Sequence, residues 1–127
     1  MSTSFQTCLL IDDNPLDNYI NTKLIQNVNF ANEVLAFESP VDALLALKEG
    51  NIKPDVIFLD INMPVMNGFE FLMEYANLHI SKDNIKLCVL SSSINPEDED
   101  RAIRSPYVTK YIQKNLKEEK LQELMNS

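Results

Sequence analysis

The chain has 127 residues, 45% of them hydrophobic and 24% charged, with a net charge of −8 at pH 7. That is the size of one ordinary globular domain, able to bury a core without a disulfide or metal staple. The acidic balance speaks against sequence-independent binding to nucleic acid, which needs clustered cations. The amino terminus, Met1-Ser2-Thr3-Ser4-Phe5-Gln6, carries no basic segment and leads into no long apolar one. Neither a secretory signal nor a membrane span is expected, and the chain reads as cytoplasmic.

In chain order, the first apolar run is Cys8-Leu9-Leu10-Ile11, of strand length, and it ends in Asp12-Asp13. Asn14-Pro15 then opens a helix, a capping side chain before a proline whose missing N–H costs nothing at that position. Leu16, Tyr19, Ile20, Leu24 and Val28 recur at helical spacing and predict its buried stripe. A second run, Val34-Leu35-Ala36-Phe37, leads to Ser39-Pro40 with Asp42 three residues after the serine, near a capping box, and Gly50 stands where that helix closes. The third run, Val56-Ile57-Phe58-Leu59, ends in Asp60, and Asn67-Gly68 precedes a helix marked by Phe69, Leu72, Met73 and Ala76. The fourth, Leu87-Cys88-Val89-Leu90, ends in Ser91-Ser92-Ser93. Asn95-Pro96 opens a fourth helix with four acids, Glu97 to Asp100, and only Ala102 and Ile103 as apolar anchors, so its packing should be the loosest. The run Tyr107 to Ile112 alternates as an edge strand does, Lys114 follows it, and Leu116, Leu121, Leu124 and Met125 mark the last helix.

Four continuous apolar strands suit a parallel sheet covered on both faces. Five alternations of strand and helix predict a right-handed, doubly wound α/β fold using the entire chain as one domain, without linker or repeat. Cys8 and Cys88 sit inside apolar runs and read as buried free thiols. His79, the only histidine, has no partner at metal-ligand spacing.

Open α/β sheets bind ligands beyond the carboxyl ends of their strands. Asp12-Asp13, Asp60, Ser91 and Lys114 all follow strands and would meet at that edge. Two carboxylates 4 Å apart repel by about 4 kcal/mol at an effective dielectric of 20, so a cation must offset the cluster. Oxygen donors without histidine or cysteine favour Mg²⁺, and Mg²⁺ points to phosphoryl chemistry. A carboxylate can itself be the nucleophile, with Lys114 and the Ser91 hydroxyl holding the phosphoryl oxygens. With two glycines and no GxxxxGK[ST] or GxGxxG, a nucleotide-binding phosphate loop is excluded. Taken singly, each residue has a plainer reading: a helix-capping Asp, a turn serine, a solvated lysine. The agreement of four strand ends carries the argument. Asp17 reads as first-turn charge at a helix amino end.

These residues resemble the response-regulator receiver (CheY-like) domain of two-component signalling. The resemblance rests on the order of elements, on Asp12-Asp13, and on Leu59-Asp60-Ile61-Asn62-Met63-Pro64-Val65-Met66-Asn67-Gly68, and covers about residues 5–126. It implies a flavodoxin-like (βα)5 fold with strand order 2-1-3-4-5. It further implies Asp60 as phosphoacceptor and Asp12, Asp13, Asp60 and the backbone carbonyl of Asn62 as ligands for Mg²⁺, for which Mn²⁺ can substitute. Ser91 and Lys114 are then the phosphoryl-binding pair and Tyr111 the switch aromatic. The implied donor is a phosphohistidine on a histidine kinase or phosphotransfer protein. The output is a downstream protein, through a monomer or a phosphorylation-dependent dimer. Arg101, Arg104, Lys110 and Tyr111 become candidate partner contacts on the fourth helix and fifth strand. Such a domain catalyses only its own phosphorylation and dephosphorylation.

Two residues depart from the family pattern. Lys114 is followed by Asn115 rather than proline, where a cis bond costs about 2.5–4 kcal/mol, which leaves its isomer open, and Ser92 stands where a smaller residue is usual and should narrow the site. The end of the chain at Ser127 predicts no output domain, in a stand-alone regulator or an excised receiver. An aspartate-nucleophile phosphatase is the competing enzyme class, disfavoured because Asn62 stands where its acid/base Asp is expected. A degenerate receiver that only binds partners is disfavoured by the full set of acids.

Overall fold

The computed structural model describes residues 4–126, so Met1, Ser2, Thr3 and Ser127, which the leader and domain-boundary expectations included, lie outside the described residues. The elements alternate: β1 (Phe5–Ile11), α1 (Pro15–Asn27), β2 (Ala31–Phe37), α2 (Pro40–Lys48), β3 (Val56–Asp60), α3 (Gly68–Ala76), β4 (Lys86–Ser91), α4 (Pro96–Ile103), β5 (Val108–Gln113) and α5 (Glu118–Met125). The strands form one parallel sheet in the order β2-β1-β3-β4-β5, the predicted flavodoxin-like order with β5 at an edge.

Side chains alternate across a strand, and the sheet sorts its continuous apolar runs into two cores. Leu9, Ile11, Ile57, Leu59, Leu87 and Val89 face α2, α3 and α4; Cys8, Leu10, Val56, Phe58, Cys88 and Leu90 face α1 and α5. The end of the sheet away from the acids is knitted by Asp55, whose carboxylate accepts the N–H groups of Gln6 (2.8 Å) and Thr7 (2.7 Å), while its carbonyl accepts that of Lys86 (2.8 Å). Cys8 and Cys88 are buried free thiols, and burial pushes both up, Cys88 to about 12, so neither is reactive. Among the described residues, no helix is long and apolar enough to cross a membrane.

Helix starts fall where the capping residues predict, but two helices bury only part of the expected stripe: Leu24 and the C-cap Val28 of α1 and Phe69 and Leu72 of α3 pack against the core, and the remainder does not. In α1, Leu16, Tyr19 and Ile20 are exposed and the buried residues are Asn18, Asn21 and Ile25. The reason is local: the first turns of α1 lie against the acidic strand ends, where Asn18 Nδ2 donates to the Asp12 carbonyl at 2.9 Å, although its Oδ1 is buried without a partner. In α3, Phe71, Leu72 and Tyr75 are buried, whereas Met73 is exposed. Gly68 sets that rotation, because a Cβ there would lie 2.5 Å from the Ile61 side chain and 2.6 Å from its Cα. Phe71 and Tyr75 then stack, and Tyr75 meets Tyr107 edge to face. Ala102 is the one buried residue of α4 and Ile103 is exposed, so this helix has a single apolar anchor instead of two.

Gly68 also donates its N–H to the Ile61 carbonyl (3.1 Å), closing the loop that follows Asp60. Gly68→Ala should therefore destabilise the fold by about 1–3 kcal/mol, the usual cost of overpacking. Urea denaturation measures it; unchanged stability would show that the loop yields freely.

Candidate functional site

Register brings the strand ends together. β1 and β4 flank β3, so Asp12, Asp60 and Ser91 sit side by side at the carboxyl edge. Asp12 and Asp60 are each 3% exposed and Asp13 is exposed, with carboxylate oxygens of all three within 4.8 Å of one another. Asp12 Oδ1 accepts the Asn14 N–H (2.9 Å), and Asp60 Oδ1 accepts the Asn62 N–H (3.1 Å). The Lys114 ammonium, 102 residues from Asp12, reaches Asp12 Oδ2 at 3.0 Å, Asp17 Oδ2 at 3.1 Å and Asp60 Oδ1 at 3.6 Å. Its backbone N–H extends the β4–β5 ladder by donating to the Ser91 carbonyl (2.8 Å). Ser91 is fully buried and its Oγ accepts the Ser93 N–H (2.9 Å), leaving the hydroxyl proton available to a ligand.

Burial pushes the Asp12 carboxyl above the usual range; the Asn14 N–H and the Lys114 ammonium pull it back, and the neighbouring Asp60 charge adds to the rise. For Lys114, burial works against the charged form, but the hydrogen bond to Asp12 and the charges of Asp60 and Asp12 outweigh it, with Asp17 assisting. Its pKa stays above the ordinary lysine value. One ammonium thus serves a group of carboxylates whose own burial disfavours charge. Among the described residues the metal-capable group is Asp12, Asp13 and Asp60, an all-oxygen donor set that could hold a metal ion and suits Mg²⁺.

Tyr111 pairs with Val89, two residues before Ser91 and on the same sheet face. Its phenolic oxygen is buried without a hydrogen-bond partner. Around it, Arg101 stacks on Phe69 with its guanidinium carbon 4.0 Å from the ring centroid, and Lys110 pairs with Glu123 on α5 at 3.1 Å. Arg104 is exposed at the end of α4. Asn62 is exposed and its side-chain amide donates to Ser92 Oγ at 3.3 Å, which ties the extra hydroxyl of Ser92 to the rim.

The Lys114–Asn115 peptide bond, whose isomer the sequence left open, is cis, and the lysine reaches the cluster with the bond as it is. Sequence reasoning missed Asp17 and Asn18 as members of the site. Their signal was a second, polar stripe at helical spacing, Asn14, Asp17, Asn18 and Asn21, running beside the apolar one.

The raised Asp12 carboxyl has a definite sign. Its charge costs the fold stability above the unfolded carboxylate range, and that cost is relieved as pH falls through the raised value. In chelator at pH 7, Asp12→Asn should be more stable than the parent, and the gap should close as pH falls through the raised Asp12 value. Adding Mg²⁺ should raise the parent's melting temperature more than the variant's. Calorimetric melting checks all three.

A model of the response regulator receiver domain family matches residues 8–126. Among solved structures, a two-component response regulator from Cytophaga hutchinsonii is 33% identical, with a TM-score of 0.87 over 96% of this chain and 95% of that one. A response regulator receiver protein from Dyadobacter fermentans is 30% identical, with a TM-score of 0.85 over 95% of each chain. Among curated proteins, the sensor histidine kinase CheAY of Helicobacter pylori is 32% identical over 89% of this chain, and the hybrid signal transduction histidine kinase C of Dictyostelium discoideum is 32% identical over 70%. The chain spans 14% and 7% of the length of those two relatives. With the family model covering nearly all of it and the strand order and acidic edge agreeing, the chain belongs to the response regulator receiver domain family.

Proposed function

We propose that this receiver takes a phosphoryl group from a phosphohistidine onto Asp60 in a Mg²⁺-dependent reaction and signals through a protein-binding surface. The observation that carries the reading is a buried carboxylate, Asp60, flanked by two more acids, with a lysine ammonium 3.6 Å away and a buried serine on the adjacent strand. Receiver domains receive phosphate from histidine kinases, and the relatives include such kinases.

An Asp60 oxygen attacks phosphorus in line, the P–N bond breaks, and the departing imidazole takes up a proton. Asp12, Asp13, Asp60 and the Asn62 carbonyl would hold Mg²⁺, or Mn²⁺ in its place, which would supply charge neutralisation at the phosphoryl oxygens. Lys114 moves its ammonium from the carboxylates toward the new dianion, and Ser91 donates its hydroxyl proton to a phosphoryl oxygen. Hydrolysis ends the modification: water attacks phosphorus, the bond between Asp60 oxygen and phosphorus breaks, inorganic phosphate leaves with the water-derived oxygen, and the Asp60 carboxylate is regenerated. Asn62 has an amide in place of an acid/base carboxyl, which disfavours the phosphatase reading.

A phosphodonor has to reach that edge. Leu16 on α1 and Val65 and Ile94 on the loops after β3 and β4 are 62%, 82% and 87% exposed, and form its apolar rim. The output surface is α4, β5 and α5, with Arg101, Arg104, Lys110 and Tyr111 as contacts and Ala102 as the one buried anchor of α4.

Incubation with acetyl phosphate and Mg²⁺ should add one phosphoryl group by mass spectrometry, and Asp60→Asn should abolish it; undiminished uptake in that variant would refute the assignment. Tyr111→Phe removes a buried, unpartnered hydroxyl and should stabilise the fold by about 1 kcal/mol. Tyr111→Ala should keep phosphate uptake while the amide NMR shifts that phosphorylation causes in α4 and β5 shrink. Full-sized shifts in Tyr111→Ala would remove the tyrosine from the switch.

A further inference from the structure

Asp17 occupies the third position of α1, where an acid ordinarily turns back to the N-cap backbone. The same chain shows that arrangement in α3, where the Asn67 N–H donates to Glu70 Oε1 at 2.9 Å and Asn67 Oδ1 accepts from the Glu70 N–H. In α1 the N-cap N–H of Asn14 donates instead to Asp12 Oδ1. The Asp17 carboxylate is thereby left for Lys114, 97 residues away, at 3.1 Å. Asp17 lies outside the metal-capable group, and its side chain is 33% exposed against 16% for Lys114 and 5% for Asp12, so it stands at the solvent side of the cluster.

We propose that Asp17 is a positioning residue that shares the Lys114 ammonium with Asp12, keeping it at the margin of the acidic cluster so that a divalent cation can claim Asp12 and Asp60. The inference deepens the proposed phosphoryl-transfer reading and rests on its metal centre. An ammonium has three N–H donors. Two now point to Asp12 and Asp17, with Asp60 at the longer 3.6 Å. When a cation takes Asp12, Lys114 loses that partner and retains Asp17, one helical turn beyond the cluster. Without the Asp17 charge the ammonium has only Asp12 and Asp60 to pair with, and it competes with the cation for both.

Titration calorimetry with Mg²⁺ on the full chain tests this. Asp17→Asn should weaken Mg²⁺ binding about three- to tenfold, and Asp17→Glu should recover most of the loss. In a Lys114→Met background the Asn substitution should change the affinity less than about twofold, since the lysine through which Asp17 acts is gone. Asp42→Asn, which removes the same charge from the first turn of α2, should leave the affinity unchanged, and it serves as the control if Lys114→Met does not fold. An equal loss with and without Lys114, an equal loss in Asp42→Asn, or no loss in Asp17→Asn would each overturn the proposal. Phosphate uptake by the parent is read separately. No uptake with the Asp17–Lys114 coupling intact overturns the phosphoacceptor reading alone, and normal uptake without coupling overturns the role of Asp17 alone.

Discussion

Two carboxylates buried side by side, Asp12 and Asp60, govern the design of the whole carboxyl edge of this sheet. A buried charge without partners costs several kcal/mol, more than any single surface interaction returns. What offsets it is local and directional: the N–H groups of Asn14 and Asn62, and one ammonium drawn in from the far end of the chain. The start of α1 adds the positive end of a helix dipole, worth about 0.3–1 kcal/mol near an anion. The polar inner face of the first turns of α1 follows from this constraint, because they meet Asp12 and Lys114, while Leu24, Ile25 and Val28 further along still pack on the core. The apolar residues Leu16, Tyr19 and Ile20 are left facing solvent.

The same edge is stiff where the chemistry is and loose beside it. Lys114 is positioned by the β4–β5 ladder through its bond to the Ser91 carbonyl, and the opposite end of the sheet is tied by Asp55. Reacting groups on strand ends are held more firmly than groups on loops. By contrast α4 hangs on Ala102, helped by the Arg101–Phe69 stack. Its neighbour Tyr111 buries an unpartnered hydroxyl, a group that gains wherever a rearrangement finds it a partner. A rigid site next to a weakly anchored helix is a physical arrangement in which a small change of charge can bias a surface.

The strands were legible because burial on both faces demands unbroken apolar runs, and the helix starts because Asn-Pro and Ser-Pro pairs have few other uses. The acids and Lys114 were legible as a set, since independent strand ends agreed. Which face each helix buries was not. Leu16, Tyr19 and Ile20 have the spacing of a core stripe, and only the proximity of Asp12 decides that Asn18 goes inside instead. In α3 the deciding contact, Gly68 on Ile61, is tertiary and invisible to periodicity. Asp17 was misread for a related reason: an acid in a first turn is explained by the helix dipole, so nothing local calls for a distant lysine.

The acidity of the chain bears on how a donor can bind. With a net charge of −8, to which four acids in the first residues of α4 and three at the site itself contribute, long-range electrostatics oppose the approach of a phosphorylated protein. In the proposed reaction, association therefore has to draw on short-range apolar contact. The exposed Leu16, Val65 and Ile94 stand around the acidic edge and can supply it. Each such side chain, fully covered, contributes about 1.5–3 kcal/mol. A bound divalent cation would remove two units of the opposing charge at the point where the phosphoryl group arrives. Metal occupancy would then set both the reactivity of Asp60 and the rate at which a donor reaches it, and the carboxylate that keeps Lys114 from competing for that metal lies on the helix that carries part of the apolar rim.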